Sequence, residues 1–321
     1  MDLKQYLTFT AKQIDLMIDR FFGSEFEELG KASAHLLMAG GKRLRPAVVM
    51  LAADAVRKGS SDEVMPAALA LELTHCFTLI HDDIMDGDSF RRGVPTVHTK
   101  WDEPTAILAG DVLYARSFDF ICKTQAPDQA KVRAVSMLAE ACVDICRGQH
   151  MDMSFEKRRD VTEGEYLEMV AKKTGVLYAA AAGIGSILAG GNAVQTRALY
   201  HYGLNTGMAF QIQDDVIDIM ASAEKSGKDR ASDIREGKQT LLSIRAREKG
   251  LDLSPWCRDH LTDCEIEEVV TLLNNAGVIE SVKDTALELV GKGKQIISIL
   301  PDSQEKQLLN EIGDYFVTRG H

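Results

Sequence analysis

Apolar side chains return at steps of three and four over two long stretches of this chain. One runs through Leu69, Leu73, Phe77, Ile80 and Ile84, the other through Leu204, Met208, Ile212, Val216 and Ile219. This is the period of a helix with one face turned to a core. Strand-like alternation bounded by turn residues is hard to find anywhere. Breakers fall between the periodic stretches, at Gly40-Gly41, Gly59 to Asp62, Gly87 to Pro95, Ala126 to Asp128, Asn274 to Gly277 and Pro301 to Ser303. The pattern predicts an all-α chain of ten or more helices. Only seven of the 321 residues are proline, and no Pro/Gly/Ser-rich linker or block of like charge divides the chain. With 45% hydrophobic residues supplying a large core, we expect one domain over residues 1–321.

Both periodic stretches carry the same acidic pattern, Asp82-Asp83-x-x-Asp86 and Asp214-Asp215-x-x-Asp218. Residues four apart on a helix lie over one another, so Asp82 sits beside Asp86 and Asp214 beside Asp218. Like charges so placed cost roughly 0.2–0.5 kcal/mol per pair, and a bound cation removes that cost. Hard oxygen ligands suit Mg²⁺, which keeps several waters and binds through one or two carboxylates plus phosphate oxygens. Two acidic helix faces turned toward each other would hold a diphosphate between metal ions. A single DDxxD is commonly a solvated acidic patch, and its repetition in the same apolar frame is what points to a site. An EF-hand is excluded for the first copy. With Gly87 as its turn glycine, Ile84 and Gly93 would fall where an oxygen ligand and Glu are needed.

A net charge of −11 argues against non-specific nucleic-acid binding. The six cysteines include no CxxC and no zinc-type pairing with histidine, so buried free thiols in a reducing cytosol are expected. No basic start followed by an apolar segment opens the chain, and a cytoplasmic location is expected rather than secretion. The stretch from Thr174 to Thr196 has no charge, but it is rich in Ala and Gly rather than Leu and Ile. It reads as a tightly packed core helix, not a membrane span.

An acidic protein that binds a diphosphate must supply local positive charge. Three clusters are available. Lys42, Arg43 and Arg45 surround a helix start, Arg91 and Arg92 lie in the Gly/Pro-bounded loop after the first acidic helix, and Lys172-Lys173-Thr174 opens the Ala/Gly-rich helix. The polar segment Ala221 to Lys238 follows the second acidic pattern and reads as a loop that closes over a ligand held by Asp214 and Asp218. Nucleotide-binding motifs fail. Lys42 and Lys238 are followed by Arg43 and Gln239 where a P-loop needs Ser or Thr, and Leu188 stands at the third glycine position of a dinucleotide fingerprint.

Taken in order, these motifs resemble the trans-isoprenyl diphosphate synthase (polyprenyl synthetase) family, most closely its archaeal geranylgeranyl diphosphate synthases. The likeness runs through Gly-Gly-Lys42-Arg43-Leu44-Arg45-Pro, His75, Asp82-Asp83-Asp86, Arg91-Arg92-Gly93, Gly148-Gln149, Lys173-Thr174, Phe210-Gln211, Asp214-Asp215-Asp218, Lys228 and Lys238. The resemblance implies an all-α fold around a deep central cavity, a homodimer, and condensation of isopentenyl diphosphate with dimethylallyl, geranyl or farnesyl diphosphate. It implies that Asp82, Asp83, Asp86 and Asp214, supported by Asp215 and Asp218, hold Mg²⁺, three ions with substrate bound. Arg91, Lys173, Thr174, Gln211, Lys228 and Lys238 would grip the allylic diphosphate. Lys42, Arg45, His75 and Arg92 would hold isopentenyl diphosphate. The catalytic group would comprise Asp82, Asp83, Asp86, Lys173, Thr174, Gln211 and Asp214. The loop departs from many relatives at Gly227-Lys228-Asp229-Arg230-Ala231, which touches its shape more than the role of Lys228.

The same resemblance implies that Phe77, followed by the small Thr78, sets the product at twenty carbons. Spacing alone does not place the ring in a cavity, because an ideal helix puts Phe77 about 140° round from Asp82. The alternatives are a farnesyl or longer-chain synthase, a class I terpene cyclase, or a non-catalytic subunit of a heteromeric synthase. A cyclase would replace the second acidic pattern, and such subunits lose one of the two. Both are intact here.

Overall fold

The computed structural model describes residues 1–23, 27–220, 230–258 and 260–318. Chain contacts group into two compact units, each assembled from three segments. The first comprises Met1–Ala139, Ala180–Tyr200 and Ile299–Glu311, and the second Glu140–Ala179, His201–Ser298 and Ile312–His321.

The helices of the first half are α1 (Leu3–Phe22), α2 (Glu28–Met38), α3 (Leu44–Val56), α4 (Met65–Asp86), α5 (Val97–Lys100), α6 (Glu103–Cys122) and α7 (Asp128–Phe155). Periodicity placed α4 correctly, and its apolar face packs chiefly on α6 and α3. Pro66 opens α4 where a missing N–H is harmless, and Gly87 closes it in the left-handed region (φ 69°). The breakers at Gly40-Gly41, Gly59 to Asp62 and Ala126 to Asp128 fall between helices or at a helix start, as expected.

One small correction concerns the loop after α4. It contains a two-stranded hairpin, β1 (Phe90–Arg91) with β2 (Val94–Pro95), turning through Arg92 (φ 54°) and Gly93 (φ 77°). Two positive φ values in a two-residue turn are the type I′ arrangement that matches strand twist. Strands of two residues are too short to leave an alternating pattern.

The second half begins with α8 (Glu163–Val170), opened by a reciprocal cap between Thr162 and Glu165. A single π turn over Ala171–Gly175 leads into α9 (Val176–Leu188). Then follow α10 (Ala193–Met220), α11 (Ser232–Arg235), α12 (Leu241–Glu248), α13 (Asp263–Asn275), α14 (Val278–Ile296) and α15 (Gln304–Thr318). The uncharged stretch from Thr174 is thus a buried helix of 13 residues, broken at Gly190 (φ 86°) before α10 starts. Its glycines allow close approach: a Cβ on Gly185 would lie 2.3 Å from the Val49 carbonyl oxygen. Among the described residues no helix is long and apolar enough to cross a membrane. The core of the second unit gathers Tyr166, Val170, Ile212, Val216, Leu241 and Val269 with their neighbours. All six cysteines are free.

Candidate active site

The first acidic pattern occupies the last turn and a half of α4. Asp82 is half-buried, Asp83 fully buried and Asp86 exposed. Asp83 faces away from solvent into an ion pair with the Arg91 guanidinium, which also reaches Asp88 at 3.0 Å. The hairpin therefore returns a cation to the middle carboxylate of the motif that precedes it. Arg92, in the hairpin turn, donates to the carbonyl oxygens of Leu36 and Gly40, and Gly41 packs against its guanidinium plane. His75 lies about two to three turns before the aspartates. Burial and the surrounding charges of Arg45, Arg92, Arg91 and Arg43 push its pKa well below the ordinary histidine range, so the imidazole is neutral at neutral pH. The structure thus groups Arg45, His75, Arg91 and Arg92. Lys42 is exposed in the loop before α3.

Phe77 is 8% exposed and packs edge-on against Tyr114 of α6 at 5.2 Å between ring centroids, with Phe118 also edge-on beyond Tyr114 at 5.0 Å. The Thr78 hydroxyl bonds back to the His75 carbonyl oxygen at 2.8 Å. The expected chain-length residue is therefore one member of an aromatic row, and the aromatics of α6 carried no sequence signal that would link them to it.

The second acidic pattern lies near the end of α10. Its middle carboxylate, Asp215, is again buried, but its partners are neutral: the Tyr166 hydroxyl donates to Oδ2 at 2.6 Å and the Gln211 amide to Oδ1 at 2.9 Å. Burial first, and then the charge of Asp233, raise the Asp215 pKa well above the usual carboxylate range against the lowering effect of those two donors. The Thr174 hydroxyl donates to Gln211 Oε1 at 3.0 Å, which fixes the orientation of that amide. Thr174, Gln211, Asp215 and Tyr166 form one hydrogen-bonded chain across the π turn, α10 and α8.

Lys173 bonds Asp152 of α7, whereas Lys172 pairs with Glu168 on its own helix turn. Of the two lysines, Lys173 is the one that reaches across to α7. Its place depends on Gly148: a Cβ there would sit 2.4 Å from the Lys173 backbone nitrogen. Asp218 accepts from the Ser232 hydroxyl at 2.7 Å and from the Asp233 backbone N–H at 3.1 Å. Burial and the neighbouring Asp218 raise Asp233 to about 7. Lys238 reaches Glu236 at 2.9 Å and Asp233 at 3.6 Å. Of the expected closing loop, residues 221–229, including Lys228, lie outside the described residues. Residues 230–238 contain the short helix α11 rather than plain loop.

Several side chains at the site were missed by sequence reasoning. Tyr166, Asp152 and Asp233 look like ordinary helix or loop residues until the fold brings them to Asp215, Lys173 and Lys238. Glu72 did carry a signal, a lone acid between Leu71 and Leu73 on an apolar face. Among the described residues, no three His, Cys, Asp or Glu side chains form a cluster that would hold a metal by themselves. Each acidic motif has its middle carboxylate committed to protein partners. This donor set fits a hard cation that takes one or two carboxylates and completes its shell with phosphate oxygens and water, not an all-protein cage.

Comparison with known proteins decides the family. The Polyprenyl synthetase family profile matches residues 26–276. The chain belongs to the polyprenyl synthetase family. It is 48% identical over 311 residues to a geranylgeranyl diphosphate synthase of Methanosarcina mazei, covering 96% of this chain and 95% of that one. It is 46% identical over 310 residues to a geranylfarnesyl diphosphate synthase of Natronomonas pharaonis, covering 92% and 91%. The structure of a geranylgeranyl pyrophosphate synthetase from Geoglobus acetivorans superposes with a TM-score of 0.91 at 42% identity, covering 98% of this chain and 99% of that one. This polyprenyl synthetase is therefore an enzyme, a transferase of all-α fold.

Proposed function

We propose that this polyprenyl synthetase is a Mg²⁺-dependent prenyltransferase that joins isopentenyl diphosphate head-to-tail to allylic diphosphates, with geranylgeranyl diphosphate as its main product. The observation that carries this reading is the pair of acidic helix ends, each with its middle carboxylate held by the protein. Asp82 and Asp86, with Asp214, are the metal ligands in this reading, and Asp83, Asp215 and Asp218 support them. The family generally uses Mg²⁺. Mg²⁺ held there would supply positive charge against the departing diphosphate.

The chain's own residues do the rest. Arg91, Lys173, Gln211, Lys228 and Lys238 grip the allylic diphosphate, with Thr174 holding the Gln211 amide oxygen so that its nitrogen faces Asp215. Lys42, Arg45, His75 and Arg92 hold isopentenyl diphosphate so that its alkene meets the allylic cation. A neutral His75 offers a hydrogen bond without adding to the crowd of positive charge. Apolar walls keep water from the cation, and loss of a proton, with diphosphate as acceptor, restores the double bond.

A second reading, a twenty-five-carbon product, is favoured by the 46% identity to a geranylfarnesyl diphosphate synthase. In the twenty-carbon reading the aromatic pair Phe77 and Tyr114 stands on the path of the growing chain, so that growth past twenty carbons would displace two packed rings. One continuous synthase domain, a cytoplasmic location and a homodimer complete the reading. The exposed Ile107 and Leu108 of α6 (47% and 53%) offer an apolar face for a second copy.

Purified protein with Mg²⁺, labelled isopentenyl diphosphate and each of the three primers tests this, with dephosphorylated products sized by chromatography. Twenty-carbon chains that vanish in EDTA and return with Mg²⁺ are expected. Full turnover in chelator would sink the mechanism, and a dominant C25 product would select the second reading. Phe77→Ala should lengthen the main product by at least one five-carbon unit.

A further inference from the structure

By sequence, Lys42, Arg43 and Arg45 look like one cluster of surface cations, but the structure separates them. Arg43 is 3% exposed. Its guanidinium donates to Glu72 Oε1 at 2.7 Å, to the Leu37 carbonyl oxygen at 2.6 Å and to Asp15 Oδ1 at 3.0 Å. Glu72, 2% exposed on α4, also faces Arg92, whose Nη2 stands 3.9 Å from the same Oε1. One buried carboxylate oxygen thus serves two arginines from two different loops.

Those arginines share a second property. Arg43 (φ 47°) and Arg92 (φ 54°) are left-handed non-glycine residues, a conformation shared among the described residues only by Ala231. Each such residue costs about 1 kcal/mol or more and persists only where its surroundings hold it. Arg43 caps α3 between Lys42 and Arg45, and Arg92 is the hairpin turn. Glu72 stands one helical turn before His75. Buried ion pairs add little net stability compared with apolar packing, so this one is better explained by the geometry it enforces.

We propose that Glu72 is a positioning residue of the isopentenyl diphosphate subsite. It acts through Arg43 and Arg92, fixing the two left-handed turns that carry Lys42, Arg45 and Arg92, and it does not touch the substrate. Its charge offsets that of the buried Arg43. This inference rests on the assignment of Lys42, Arg45, His75 and Arg92 to isopentenyl diphosphate.

Glu72→Gln is the test, read by steady-state kinetics with each substrate varied and by calorimetric titration with isopentenyl diphosphate alone. The expected result is a rise of about tenfold or more in KM and Kd for isopentenyl diphosphate, with the allylic KM changed less than about twofold. A merely structural residue would lower the active fraction and hence kcat, leaving both KM values in place; that outcome overturns the proposal. Should Glu72→Gln not fold, Glu72→Asp keeps the charge with a shorter reach. A rise of about fivefold in the isopentenyl diphosphate KM is expected there, and an unchanged KM overturns the proposal equally. Asp15→Asn removes the half-exposed partner of Arg43 and should leave KM near wild type; an effect as large as that of Glu72→Gln would move the role away from Glu72. Wild-type protein that binds no isopentenyl diphosphate overturns the subsite assignment itself, whereas equal binding by wild type and a folded Glu72→Gln variant overturns only the role of Glu72.

Discussion

The two acidic motifs have the same letters and opposite surroundings. In the first, the middle aspartate is buried against a guanidinium delivered by the following hairpin. In the second, the middle aspartate is buried against a phenol and an amide, with Asp233 as the strongest charge acting on it. Asp83 therefore sits in a place built for an anion, while Asp215 is pushed toward the protonated form. The lesson is that a repeated motif repeats a backbone geometry and not an electrostatic one. The outer aspartates can play parallel roles while the middle ones are tuned apart by residues outside the motifs.

The outer positions should give the largest effects, and equal ones. Asp82→Ala and Asp214→Ala should each lower kcat by about a thousandfold or more with circular dichroism unchanged, since both remove charge stabilisation from the transition state. A mild effect at one of them would break the parallel between the motifs. The middle positions should then separate. Asp83→Asn leaves Arg91 without its buried partner and should cost about 3 kcal/mol in urea unfolding, whereas Asp215→Asn should cost less than about 1 kcal/mol because an amide serves a site that already disfavours the anion. Equal losses would show that the two environments are alike after all. Tyr166→Phe should cost about 1–2 kcal/mol by leaving a buried carboxyl oxygen without its donor, with no effect on the first motif.

The smallest expected effect is a pH dependence. His75 has a folded-state pKa well below its ordinary 6.5, so on acidification the unfolded chain takes up the proton first. The stability it contributes is present above about pH 6.5 and is lost as pH falls below that value. Asp233 works in the opposite sense, since its raised pKa of about 7 means that stability is lost as pH climbs from the usual carboxylate range toward 7. Urea midpoints at pH 7 and pH 5 for wild type and His75→Asn isolate the first term. The wild type should lose more on acidification than the variant, and parallel losses would show that the imidazole is not held neutral.

Much of the fold was legible because helices write a local period into the chain. The stretches through Leu69 to Ile84 and Leu204 to Ile219 became α4 and α10, and the Gly and Pro breakers fell where helices end or begin. The hairpin at Phe90 to Pro95 and the π turn at Ala171 to Gly175 were not legible, since both are shorter than any period that could announce them. Within the site, the aspartates and lysines stood out as repeated or clustered charges. Their supporting partners did not. Tyr166 lies 49 positions from Asp215 and Asp152 lies 21 from Lys173, separations that only a folded chain closes. Arg43 shows the reverse failure: three cations in four residues look equivalent in one dimension, yet one of them turns inward to Glu72 and never faces a ligand.

The π turn between α8 and α9 has a consequence for how this enzyme can change length over evolutionary time. A π turn spends one residue more than an α turn over the same hydrogen-bonded span. A single deletion within Ala171–Gly175 would therefore convert the π turn to an α turn and keep the flanking helices in phase, whereas a deletion in a regular α turn would rotate one side by about 100° relative to the other. The side chains within the turn itself, by contrast, would be re-aimed. Lys173 would swing away from Asp152, or Thr174 away from Gln211, depending on which residue was lost. The segment is thus forgiving for folding and unforgiving for chemistry, so chains that keep the activity are expected to vary here in side chain but not in residue number.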